Sequence, residues 1–182
     1  MKTYVRYTII CLFTLSSALC GAESRTVSQD FDDMFRANPR TLQVTNSNHT
    51  GTTDFVTYTC SNGAIFSADY YKTGSRITIF METTDAQVVT SQVRNLEDLV
   101  IRYLPAEVSK QVVVAISKDG SVWEDVEVED GVGGIKYVHF PCAGDYYVKI
   151  QRKNSTGNVY LTEIRYTYID LSGCPNCFIY KP

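Results

Sequence analysis

From residue 41 to residue 169 the apolar side chains of this chain tend to recur at every second position, in short runs broken by turn residues. No stretch there shows the 3.6-residue period of an amphipathic helix. Side chains on an extended backbone alternate between two faces, so the pattern predicts strands with one buried face and one wet face. The expected strands are Thr41–Thr45, Asp54–Cys60, Ala64–Ala68 after an Asn62-Gly63 turn, Arg76–Met81, Leu99–Leu104, a hairpin within Val112–Val128, Ile135–Phe140, Tyr146–Gln151 and Val159–Ile169. About nine or ten short strands with no helices between them disfavour a parallel βαβ sheet. No repeat of fixed period points to a propeller or β-helix. The fold class that follows is all-β, an antiparallel jelly-roll β-sandwich spanning residues 41–182, with 23–40 as an N-terminal arm or short helix.

Two local features sharpen this. In Ser117-Lys-Asp-Gly-Ser-Val-Trp123, Asp119-Gly120 supplies the positive φ of a tight hairpin, with the chain's one tryptophan just beyond it. In the last strand, Val159 and Leu161 share one parity while Ile164, Tyr166 and Tyr168 share the other. A β-bulge near Thr162-Glu163 returns all five to one face.

The chain begins with Lys2 and Arg6, an apolar stretch from Thr8 to Leu15 and then small residues, the pattern of a secretory signal peptide over residues 1–22. The apolar part is too short for a transmembrane anchor. Lipid attachment at Cys20 is disfavoured, because Ser17-Ala18-Leu19 puts no small residue directly before the cysteine. A secreted or periplasmic location follows. Loss of Lys2 and Arg6 takes the formal net charge from -3 to -5, which attracts neither nucleic acid nor anionic lipid. Four cysteines then remain of six: Cys60, Cys142, Cys174 and Cys177. An even number in an exported chain predicts disulfides, with three connectivities open. Cys174–Cys177 closing a small loop and Cys60–Cys142 linking strands is the favoured one, and a bridge from Cys174 or Cys177 that pins the tail to Cys60 or Cys142 is the alternative. A redox role for Cys174-Pro-Asn-Cys177 is disfavoured, since too little chain follows to form the helix that lowers a thiol pKa.

Three segments carry a family resemblance: Ser117 to Trp123, Phe140-Pro-Cys-Ala-Gly-Asp-Tyr-Tyr-Val-Lys-Ile150, and Val159-Tyr-Leu-Thr-Glu-Ile164. Together they resemble the C-terminal half of galactose-binding-like jelly rolls, the group of discoidin domains and many carbohydrate-binding modules. They are similar in particular to accessory modules of secreted Bacteroidetes pectate-lyase-like proteins. The resemblance implies a non-catalytic glycan-binding or adhesive module, often with one structural calcium. By analogy with that calcium site the candidate ligands are Asp54, Asp69, Asp145 and Glu163, hard oxygen donors of the kind Ca2+ takes.

The residues themselves point to loop aromatics as the sugar contacts. Tyr70 and Tyr71 fall in an expected rim loop, with Asp69, Lys72 and Arg76 as polar partners. Trp123 has two readings: its face could stack on a sugar ring, or it fills the sandwich core or caps its end. Packing is favoured, because a lone tryptophan near a turn usually buries most of its area. Tyr147 and Lys149 should face away from Tyr146, Val148 and Ile150, on the outer surface. His49 and His139 stand in no nucleophile context that suggests a hydrolytic triad. The expected function is a secreted carbohydrate-binding module for a plant or host polysaccharide. The alternatives are an adhesion sandwich that binds a partner protein in a surface assembly, and a small polysaccharide lyase or hydrolase.

Overall fold

The computed structural model describes residues 22–31, 49–52, 55–67, 78–104, 112–153 and 159–172. Among these the chain forms twelve strands and no helix: β1 Glu23–Asp30, β2 His49–Thr52, β3 Thr57–Ser61, β4 Ala64–Ser67, β5 Thr78–Met81, β6 Gln87–Thr90, β7 Val93–Leu104, β8 Val112–Ser117, β9 Glu124–Asp125, β10 Glu129–Gly131, β11 Ile135–Arg152 and β12 Val159–Asp170. Every pairing is antiparallel. No helix among the described residues is long and apolar enough to cross a membrane. The all-β expectation holds, and the architecture is a β-sandwich.

In the first layer β7 lies between β12 and the first half of β11. The far edge of β12 pairs with β5 and then β1, while β4 lies outside β5. The second layer runs β2-β3-β6-β11-β8-β9, using the second half of β11. β11 therefore belongs to both layers. Its register slips between His139 and Gly144 and again before Tyr146. Pro141, which has no N–H to donate, falls in this break, where a bulge tolerates it. Two strands expected from the sequence are thus one bent strand.

The alternation predicted from sequence sorts the core. Leu99, Ile101 and Tyr103 of β7 and Ile79 and Met81 of β5 are buried, as are Tyr58 and Cys60 of β3 and Val148 and Ile150 of β11. The β12 bulge is present, with its register shift between Leu161 and Glu163. It buries Val159, Leu161, Ile164 and Tyr166 together. A second shift leaves Tyr168 half-buried, its ring 5.1 Å from that of Phe55. Across the layers the Tyr166 hydroxyl donates to that of Tyr58 at 3.0 Å. At the end of β11 the buried Arg152 Nη1 donates to the carbonyls of Met81 (2.6 Å) and Glu82 (2.8 Å). These bonds meet the hydrogen-bonding demand of a charge taken out of water.

Three expectations need correction. Residues 23–30 of the expected arm form an edge strand and not a short helix, and the ring of Phe31, just after the strand, is fully buried, edge-on to Tyr58 at 5.3 Å. The turn after β8 is wider than a two-residue hairpin, since Ile116 pairs with Glu124. Gly120 takes φ +79°, whereas Asp119 is not among the residues with positive φ. Side chains organise this turn. Asp119 Oδ1 accepts from the backbone N–H groups of Ser121 (2.8 Å) and Val122 (2.9 Å), and Ser117 Oγ accepts from Gly120 N–H at 2.9 Å. Such local bonds offer the backbone an alternative to ladder pairing. Third, Cys60 and Cys142 are both free. Cys60 faces the core from β3, whereas Cys142 is exposed at the β11 bulge, so the two sulfurs are not presented to one another. Cys174, Cys177 and the Thr41–Thr45 strand lie outside the described residues.

Candidate functional site

The outer face of the second layer carries the most distinctive side-chain chemistry. β11 alternates, so Tyr146, Val148 and Ile150 point into the core while Tyr147, Lys149 and Gln151 stand half-buried on the outside. The same parity puts Thr57, Thr59 and Ser61 of β3 and Gln87 and Val89 of β6 on that face. One row across the sheet reads Thr59, Val89, Lys149, Ala115, Asp125. Five strands about 4.8 Å apart make this row roughly 19 Å long.

The Ser117–Trp123 turn bends over one end of the face. Lys149 Nζ lies 4.5 Å from the centroid of the Trp123 ring. A cation held against an indole in this way contributes about 0.5–1 kcal/mol at an exposed site. Tyr147 packs beneath the turn, since a Cβ at Gly120 would lie 3.7 Å from its ring. Gln92 Nε2 also reaches the turn, donating to the Lys118 carbonyl at 3.4 Å. Ala115 is buried without joining the main core cluster, as expected of a small residue covered from the outer side. Trp123 is accordingly a half-buried residue of the outer face and not a core residue. The sequence signal for this face was the parity of Tyr147 and Lys149; nothing comparable marked Trp123.

Carboxylates are concentrated elsewhere. Glu124, Asp125, Glu127, Glu129 and Asp130 line the exposed β9–β10 edge, while Val126 and Val128 between them pack on the core. On the outer side of the first layer Glu163 accepts hydrogen bonds from Ser28 Oγ and from Arg165 Nη2 (3.1 Å), and lies 3.4 Å from Arg102 Nε. The Ser28 bond and the two guanidinium groups hold its carboxyl below the usual range. His139 Nδ1 and Asp98 Oδ1 meet at 2.7 Å, exposed on that same layer.

Of the predicted calcium ligands, the two that are described, Asp145 and Glu163, are not brought together. Asp145 accepts from the backbone N–H of Asn95, and Glu163 pairs with Arg102, seven residues further along β7. That separation is about 20 Å of extended chain. Glu163 is moreover already satisfied by arginines. Among the described residues no three His, Cys, Asp or Glu side chains form a group able to hold a metal ion. Asp145 and Glu163 thus do not fit a shared calcium site. Asp54, Asp69, Tyr70, Tyr71, Lys72 and Arg76 lie outside the described residues.

No family model matches this sequence, and no curated protein matches it either. Among solved structures, the K2 cleaved adhesin domain of Lys-gingipain aligns with a TM-score of 0.52 at 14% identity, over 78% of this chain and 99% of that one. The xylan-binding module CBM86 from Roseburia intestinalis aligns with a TM-score of 0.43 at 8% identity, over 80% and 96%. A family 29 carbohydrate-binding module also scores 0.43, at 10% identity, over 80% and 88%. At these identities the likeness is one of fold, and it rests on the adhesin domain.

Proposed function

We propose that this protein is an exported, non-catalytic carbohydrate-binding sandwich, and that it holds a glycan on the outer face of its second layer. One observation carries the reading: the turn places the Trp123 ring at the end of a sheet surface that combines small apolar residues (Val89, Val113, Ala115) with hydroxyls, amides, the Tyr147 phenol and the Lys149 ammonium. An indole offers a flat apolar surface to the C–H face of a sugar ring. Thr57, Thr59, Gln87 and Gln151 offer donors and acceptors to its hydroxyls. The resemblance to modules of polysaccharide-degrading proteins makes plant polysaccharides the first ligands to try.

A glycan array tests this with three proteins: wild type, Trp123→Ala and the double variant Tyr70→Ala/Tyr71→Ala. The expected result is binding by the wild type that falls at least tenfold in Trp123→Ala. Binding that survives this substitution but is lost in the double tyrosine variant would move the site to the rim loop. An array without signal, together with a co-purifying protein, would favour the adhesion alternative. Steady release of new chain ends from a bound polysaccharide would overturn the non-catalytic reading.

A further inference from the structure

We infer that the sugar chain bound on this face is anionic, and that Lys149 reads a carboxylate or sulfate on the ring beside the one that Trp123 holds. The inference rests on the glycan-binding reading and deepens it. Its basis is the distribution of charge over the sandwich.

The chain is net acidic, with 20 Asp and Glu against 17 Lys and Arg. Yet the outward positions of β3, β6, β8 and of residues 147–151 of β11 hold no carboxylate. Asp145, just before that stretch, accepts from Asn95 N–H, and Asp85, just before β6, accepts from Gln151 Nε2 at 3.4 Å. These outward positions are Thr57, Thr59 and Ser61, then Gln87 and Val89, then Val113, Ala115 and Ser117, then Tyr147, Lys149 and Gln151. Lys149 is the single charge among them. Its ammonium lies against the indole ring, and the ion pairs among the described residues involve other side chains. A cation–π contact leaves the three N–H donors of an ammonium unneutralised. A ligand lying along the Trp123 ring therefore meets a charge that no described residue neutralises by an ion pair.

The acidic edge sets the direction of approach. Asp125 shares the row with Lys149 but lies two strands away, roughly 10 Å, beyond the screening length of about 8 Å in physiological salt. A ligand anion in contact with Lys149 at about 3 Å feels the lysine far more strongly than the aspartate. Glu124 is paired with Ile116 and so has the opposite parity to Asp125, off the row that carries Lys149. The anionic ring thus belongs on the β6 and β3 side of Lys149, over Val89 and Thr59, away from the carboxylate edge.

The test is calorimetric titration of the intact protein with two matched polymer pairs. One is polygalacturonate and its full methyl ester; the other is κ-carrageenan and its desulfated form. Within each pair the sugar backbone is the same, and the anionic group is esterified or removed. The expected outcome is preference for a charged member by about tenfold, the strength of one charge-assisted hydrogen bond. The pair that shows the preference identifies carboxylate or sulfate. In Lys149→Met, which keeps the apolar stem under Trp123, the two affinities of that pair should converge, while Lys149→Arg should preserve the difference. Equal binding of charged and neutral members, lost in Trp123→Ala, would overturn the anionic inference and leave the glycan site standing. A preference unchanged in Lys149→Met would overturn it too. No binding of any of the four polymers would count against both.

Discussion

The two buried phenols, Tyr58 and Tyr166, meet where the layers face each other, and each depends on the other. A Tyr166→Phe change leaves the Tyr58 hydroxyl buried without its donor, which costs about 1–3 kcal/mol. The double variant Tyr58→Phe/Tyr166→Phe removes both polar groups and should recover most of that loss, as urea denaturation of the three variants would reveal. A double variant as unstable as the sum of the singles would refute the coupling. The same burial governs pH dependence. Desolvation raises the Cys60 thiol from 9.0 to about 12 and the Tyr146 phenol from 10.0 to about 12, and lifts Tyr58 and Tyr166 above the ordinary tyrosine value. The unfolded chain gives up these protons first as pH rises, while the folded chain retains them. Stability should therefore hold to about pH 9 and fall from there towards about pH 12. A urea midpoint unchanged between about pH 8 and 11 would contradict this.

The strand β11 does most to join the two layers, and its bulge is the sensitive point. Tyr146 stacks on Phe140 at 5.3 Å across the bulge, and a Cβ on Gly144 would fall 2.8 Å from the Tyr146 ring. Gly144→Val should lower stability by about 1–3 kcal/mol through overpacking, and less in a Tyr146→Leu background that frees the space. Equal losses in the two backgrounds, measured by chemical denaturation, would place the strain elsewhere. This element also shows what the sequence could reveal. The β12 bulge was legible because apolar parity changes between Leu161 and Ile164. The β11 bulge was not, since Pro141, Gly144 and Asp145 read as a turn between two strands. β6 was missed because Val88 and Val89 are consecutive and hide the alternation that buries Val88 and Thr90. Of the binding face, Tyr147 and Lys149 were readable from parity alone. Whether Trp123 packs in the core or lies on a face was not decided by spacing, because its position depends on the shape of a turn closed by Ser117 and Asp119 side chains.

At the scale of the molecule, a strand shared by both layers ties their stabilities together. Each layer closes its hydrogen bonds through β11, and the two inner faces form one core cluster. Hydrogen exchange should show amides of β7 and β12 opening at the same denaturant concentration as those of β3, β6 and β8. Two separate transitions would mean that the layers are independent units. The placement of the lone indole has a practical consequence. Outside the core, against an ammonium and at the end of the proposed binding surface, it is an intrinsic fluorophore where a ligand would land. Its emission should shift as the surface fills, so occupancy can be followed in the native chain without attaching a dye.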